Sequence, residues 1–231
     1  MKILALADIH GDLEKLYRLV DRLKEEKAKP DVVLIAGDLT PFGPASLVKP
    51  IREKLMELTK YVLAVPGNED PDDVRREMRE FDIHGKEVKF GNVKIVGFEG
   101  ARWVETGEGV FVSYDPIHEK LRKEKGERVV LLTHVPPFDT EVDKLWTGHH
   151  VGSPFLKSLI EEYQPDLVIC GHIHEARGVD RIKKTTVINP GALADGYAAW
   201  IELRDEPQIY LLKIEKSRLK KEKVREVLAR I

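Results

Sequence analysis

Leu167-Val168-Ile169-Cys170-Gly171-His172-Ile173-His174 is an apolar run that stops at a glycine and two histidines one residue apart. Four apolar residues in succession, Leu167 to Cys170, fit a strand buried on both faces. Gly171 predicts a sharp backbone turn with no side chain in the way. His172 and His174 then leave the strand end on a loop where both imidazoles can face one point. Converging neutral imidazoles suit a borderline transition metal. Two solvent-exposed loop histidines would look alike in isolation, so the other strand ends decide the matter.

They end in residues of the same kind. Lys2 to Ala7 is a short apolar run followed by Asp8-Ile9-His10-Gly11-Asp12. Asp12 is a plausible N-cap for a helix whose stripe is Leu13, Leu16, Tyr17, Val20 and Leu23, which places Asp8 and His10 on a strand-to-helix loop. Val32 to Ala36 ends in Gly37-Asp38, Tyr61 to Val65 ends in Pro66-Gly67-Asn68-Glu69-Asp70, and Val129 to Leu132 ends in Thr133-His134. The carboxyl ends of strands are where open α/β sheets bind ligands. Asp8, His10, Asp38, Asn68, His134, His172 and His174 together make two carboxylates, one amide and four imidazoles. One metal rarely needs so many protein ligands, whereas two metals a few Å apart do if a carboxylate bridges them.

Composition narrows the class. The chain has 231 residues, 42% hydrophobic and 34% charged, which is enough for one large α/β domain, 1–231, with a proper core. The net charge of −2 gives no global basic footprint for nucleic acid and leaves a local patch open. No apolar run approaches the roughly 20 residues that span a bilayer, so no membrane partner is expected. The single cysteine, Cys170, excludes an intramolecular disulfide and fits a reducing cytoplasm; within its apolar run it reads as core and not as a nucleophile.

The remaining segments supply expectations of their own. A helix is predicted from about 46 to 58. Asp70 is read as the N-cap of a helix with Pro71 in its first turn. Gly91-Asn92 marks a hairpin. Residues 99–115 are glycine-rich, with Trp103 and Phe111 as a cover for the site, and a helix follows over 116–125. Ser153-Pro154 opens another helix, and the loop before it carries His149 and His150, candidate substrate-binding residues near an N-terminus suited to an anion. Arg177 is a candidate phosphate contact or an ion-pair residue, while His84 and His118 read as surface. Residues 197–203 and 208–214 form a closing hairpin, and a charge-rich amphipathic helix is predicted over 217–230.

Taken together, Asp8-Ile9-His10, Gly37-Asp38, Gly67-Asn68-Glu69-Asp70, His134 and Gly171-His172-Ile173-His174 resemble the calcineurin-like metallophosphoesterases, in the right order over residues 1 to about 192. The resemblance implies an α/β four-layer sandwich, two mixed β-sheets packed face to face and flanked by α-helices. It implies one metal held by Asp8, His10, Asp38 and His174 and a second by Asp38, Asn68, His134 and His172. It also implies hydrolysis of a small-molecule phosphoester, with a bridging water acidified by both metals attacking phosphorus in line. The ions would be two divalent transition metals drawn from manganese, iron, zinc, nickel and cobalt. Asn68 and Glu69 occupy the catalytic turn. Glu69 departs from the family, which carries there a histidine taken to contact phosphate and protonate the leaving group. A carboxylate beside two cations stays charged and cannot donate a proton, so a leaning to phosphodiesters is expected, with His149 or His150 as the remaining candidate acid. Two other readings are a nuclease of the DNA-repair branch, against which the acidic balance argues, and a non-catalytic interaction module of the same fold, against which the complete ligand set argues.

Overall fold

A computed structural model describes residues 1–100, 115–216 and 218–224. Trp103 and Phe111 lie outside them. The elements in chain order are β1 (Lys2–Leu6), α1 (Leu13–Glu25), β2 (Val32–Ala36), α2 (Val48–Met56), β3 (Val62–Val65), α3 (Asp72–Met78), β4 (Glu87–Phe90), β5 (Val93–Phe98), α4 (Asp115–Leu121), β6 (Arg128–Thr133), α5 (Pro154–Tyr163), β7 (Leu167–Ile169), β8 (Gly178–Ile182), β9 (Thr185–Asn189), β10 (Tyr197–Glu202), β11 (Gln208–Ile214) and β12 (Leu219–Lys223).

The strands form two six-stranded mixed sheets, ordered β12-β11-β10-β1-β2-β3 and β4-β5-β6-β7-β9-β8. In the first, β1, β2 and β3 run parallel; in the second, β5, β6, β7 and β9 do. Side-chain alternation along each strand then builds the layers. Leu4 and Leu6 of β1 pack with Leu16, Leu19, Val20 and Leu23 of α1, while Ile3 and Ala5 face Ile95, Val130, Leu132 and Ile169 of the second sheet. On the far side Val129, Leu131 and Val168 pack against Leu121 of α4 and Leu156, Leu159 and Ile160 of α5. Helices, sheet, sheet and helices make four layers. Each fully buried leucine in them contributes roughly 1.5–3 kcal/mol.

The helix boundaries follow local chemistry. The Asp12 carboxylate accepts from the Lys15 backbone N–H at 2.9 Å, and Ser153 Oγ accepts from that of Leu156 at 3.1 Å with Pro154 opening α5. Three expectations are corrected. Residues 219–223 form β12, an edge strand paired with β11 from Ile214↔Leu219 to Tyr210↔Lys223, where a helix was predicted. Its exposed Lys220, Lys221, Glu222 and Lys223 are the charges that protect a sheet edge from further pairing. Residues 217 and 225–230 of that predicted helix lie outside the described residues. Asp70 does not cap α3, whose N-cap is Pro71. Finally, His84 and His118 are half-buried: His84 Nδ1 accepts from the Glu99 N–H at 3.0 Å, and His118 Nδ1 lies 2.9 Å from the Tyr163 hydroxyl.

A candidate dinuclear metal centre

The carboxyl ends of β1, β2 and β3 from one sheet meet those of β6 and β7 from the other. Backbone hydrogen bonds fasten the loops together: Asp8 N–H to Gly37 O at 3.1 Å, His10 N–H to Asp38 O at 3.1 Å, and Gly171 N–H to His134 O at 2.9 Å. Asp8, His10, Asp38 and His172 have φ of 51°, 45°, 49° and 70°. Non-glycine residues seldom adopt this left-handed region, and where they do the strain often serves a site. Here it turns four ligand-type side chains inward.

Three glycines explain how the loops approach so closely. A Cβ on Gly37 would lie 2.3 Å from His134 Nδ1, one on Gly67 2.1 Å from Asp38 Oδ1, and one on Gly171 2.7 Å from Asp8 Oδ2. Each glycine leaves room for a ligand-type side chain from a different strand. At Gly171 this close approach is the requirement, and the left-handed turn falls on His172 instead. A Cβ on Gly67 would also meet the Asp38 backbone nitrogen at 2.5 Å, so Gly67→Ala is expected to displace the Gly37-Asp38 turn with its carboxylate and to lower turnover by about 10²-fold. Steady-state kinetics beside far-ultraviolet circular dichroism checks this; unchanged turnover would contradict it.

The side chains form two groups whose ligand atoms lie within 4.8 Å of one another, Asp8–His10–His174 and Asp38–His134–His172. His10 Nε2 is 3.2 Å from His174 Nε2, and His174 Nε2 is 3.6 Å from Asp8 Oδ1. In the second group His134 Nε2 is 3.4 Å from Asp38 Oδ2 and 2.9 Å from Asn68 Oδ1. His134 Nδ1–H donates to the Ala36 carbonyl at 2.8 Å, which leaves Nε2 to face the cluster. The donor set of carboxylates, imidazoles and an amide fits divalent transition metals. A third group, His10–Asp38–Glu69, links the other two.

Electrostatics reflect the crowding. Burial works against the Asp38 charge, but His134 and the Glu69 N–H outweigh it and hold the carboxyl below its usual range. Burial likewise opposes a charged His134, yet Asp38 and Asp8 raise its pKa to about 9. His172 is pushed down by burial and by His134, and His174 is raised by Asp8.

Around the cluster sit residues that sequence reasoning missed. Buried Asp70 accepts from the N–H groups of Leu39, Thr40 and Gly67 at 3.1, 3.0 and 3.0 Å. It thereby ties the loop after β2 to the one after β3. Arg75 clamps the same turn, donating to Gly67 O at 2.8 Å and Asp70 O at 2.7 Å while pairing with Glu99. An arginine on a short polar helix carries no local signal of that task.

The expected substrate-binding residues are not among the three ligand groups. His150 Nδ1 lies 2.7 Å from the buried Asp143 carboxylate, and His149 is exposed with Nδ1 3.0 Å from Thr147 Oγ1. Asp143 also accepts from the Thr140 and Gly152 N–H groups, so the loop is built around it. The Arg177 guanidinium stacks over the Tyr197 ring at 4.6 Å and donates to Leu212 O at 3.4 Å. Burial pushes the Cys170 thiol well above its usual value, in keeping with a core residue.

Comparisons with known proteins show the family and the fold. The profile of the calcineurin-like phosphoesterase family matches residues 1–176. An uncharacterized protein of Methanocaldococcus jannaschii is 35% identical over 200 residues, 82% of this chain and 88% of that one. A probable glycerophosphodiester phosphodiesterase of Arcobacter nitrofigilis is 27% identical over 179 residues, 72% of this chain and 64% of that longer protein. Among solved structures, a dimetal phosphatase from Danio rerio superposes with a TM-score of 0.65 at 13% identity, over 96% of this chain and 98% of that one. No helix among the described residues is long and apolar enough to cross a membrane.

Proposed function

This chain belongs to the calcineurin-like phosphoesterase family and is a metal-dependent phosphohydrolase, and from that premise we propose that it hydrolyses small-molecule phosphodiesters at a centre of two divalent cations. Asp8, His10 and His174 would hold one cation and His134, His172 and Asn68 the other, with the Asp38 carboxylate shared between them. The observation that carries the reading is the convergence of two ligand groups, Asp8–His10–His174 and Asp38–His134–His172, linked by a third that contains both His10 and Asp38. When bound, the cations acidify water and offset the charge that builds on the phosphoryl oxygens.

The chain's own residues do the rest. Asn68, beside His134 Nε2, offers an amide whose N–H group can meet a phosphoryl oxygen. Glu69 stands where the family carries a histidine, and its negative charge disfavours a phosphomonoester dianion more than a phosphodiester monoanion. The relative named as a glycerophosphodiester phosphodiesterase supports the same side. For the leaving group, His150 is preferred to His149, because the Asp143 carboxylate fixes its imidazole as in other acid–base dyads. Arg177 is left as a packing residue against Tyr197. A reducing, cytoplasmic setting is part of the proposal and is supported by the lone, buried Cys170.

The test compares bis(p-nitrophenyl) phosphate with p-nitrophenyl phosphate for protein loaded in turn with manganese, iron, zinc, nickel and cobalt. A higher kcat/KM for the diester is expected with the best metal. A strong monoester preference would overturn the substrate assignment, and nicking of supercoiled plasmid would redirect it to nucleic acid.

Metal uptake should also depend on pH. A cation reaches His134 Nε2 only after its proton leaves, and that imidazole's pKa in the metal-free protein is about 9. Apparent affinity is expected to rise about tenfold per pH unit from about pH 7 towards about pH 9, as for one displaced proton. Calorimetric manganese titrations across that range check the slope, and a flat profile would contradict it.

A further inference from the structure

We propose that Glu69 is itself a metal ligand, a third carboxylate at the two-cation centre beside His10 and Asp38, and not a substitute acid. The inference rests on the dinuclear reading above and goes beyond it. Glu69 Oε2 lies 3.1 Å from His10 Nδ1, while His10 Nε2 faces His174 Nε2 at 3.2 Å, and the ligand atoms of His10, Asp38 and Glu69 lie within 4.8 Å of one another. The backbone is fixed to aim the side chain there. Its N–H donates to Asp38 Oδ1 at 2.8 Å, and its carbonyl accepts from the Phe42 N–H at 2.9 Å and the Thr40 hydroxyl at 3.4 Å. Only 27% of the side chain is exposed, and its ion-pair contact among the described residues is His10, itself a candidate ligand.

A partly buried carboxylate turned into a cluster of carboxylates and imidazoles needs positive charge to offset its desolvation and the repulsion of Asp8 and Asp38. A divalent cation supplies it. Three carboxylates cancel three of the four charges of two such ions, which tightens their retention. They also shift the donor set towards oxygen, which favours a harder ion such as manganese. The same charge count lowers the pull on a substrate dianion, so ligation and the diester preference have one origin.

The competing role is orientation, in which Glu69 only holds the His10 ring. Glu69→Gln separates the two, since an amide oxygen still accepts from His10 Nδ1–H but binds a cation far less well than a carboxylate does. Manganese is titrated calorimetrically into metal-stripped wild type, Glu69→Gln and Glu69→Ala, with thermal unfolding of each stripped form as a check of folding. Wild type is expected to take up two ions, and both variants to bind one of them at least about tenfold more weakly. In crystals of zinc-loaded wild type, a Glu69 oxygen is expected at about 2.0–2.2 Å from an ion. Two ions held by Glu69→Gln with wild-type affinity would overturn ligation and leave the dinuclear reading intact. Fewer than two ions in wild type would overturn both. Should the alanine variant unfold, the zinc-loaded wild-type structure decides, and a Glu69 oxygen outside bonding distance of both ions overturns the inference.

Discussion

Asp38→Asn is expected to lower phosphodiester turnover by at least about 10³-fold, a loss of about 4 kcal/mol of transition-state stabilisation. Asp38 is the carboxylate through which the two ligand groups meet: it lies 3.4 Å from His134 Nε2, and its other oxygen accepts from the Glu69 N–H. Asparagine keeps the shape and removes the charge, so the cations lose their shared counter-ion while the fold stays. The measurement is turnover at saturating manganese together with bound metal by atomic emission. Two ions and wild-type turnover in the variant would refute the bridging assignment.

His172→Ala and His174→Ala are expected to lose different ions. Only Ile173 separates the two residues in sequence, yet His174 sits with Asp8 and His10 while His172 sits with Asp38 and His134, its ring centroid 4.9 Å from that of His134. The left-handed φ of His172 and the short turn after it send the two imidazoles to separate groups. Each variant should retain one ion and fall by about 10²-fold or more in turnover, since one cation can no longer stabilise the developing charge. Electron paramagnetic resonance of bound manganese distinguishes a single ion from a coupled pair. Loss of both ions in both variants would show that the sites fill together and that the division of ligands fails.

Much of this was readable from the chain because the site is written locally. A buried parallel strand is an apolar run, and a ligand at its carboxyl end must follow directly, so each motif carries its own structural context. The glycines of Gly37-Asp38, Gly67-Asn68 and Gly171-His172 belong to that grammar, although their reason is tertiary: each admits a side chain from another strand. What stayed hidden depends on distant partners. The strand β8 has little apolar content and joins β9 through Lys183 at φ 51°, where no glycine or asparagine announces a hairpin. The charges of β12 favour a helix by propensity, and only the open edge of β11 makes them a strand. Asp70 looks like a helix cap from its neighbours Pro71 and Asp72, whereas its partners Leu39 and Thr40 lie on another loop. The same holds for Glu69: its identity marks a departure, but its neighbours His10 and Asp38 appear only when two sheets bring their loops together.

The most direct test is a titration of metal-stripped protein with manganese while hydrolysis of bis(p-nitrophenyl) phosphate is followed. The expected result is activity that stays low through the first equivalent and reaches its plateau at two. A plateau at one equivalent, or hydrolysis that does not respond to the ion, would contradict a dinuclear phosphodiesterase.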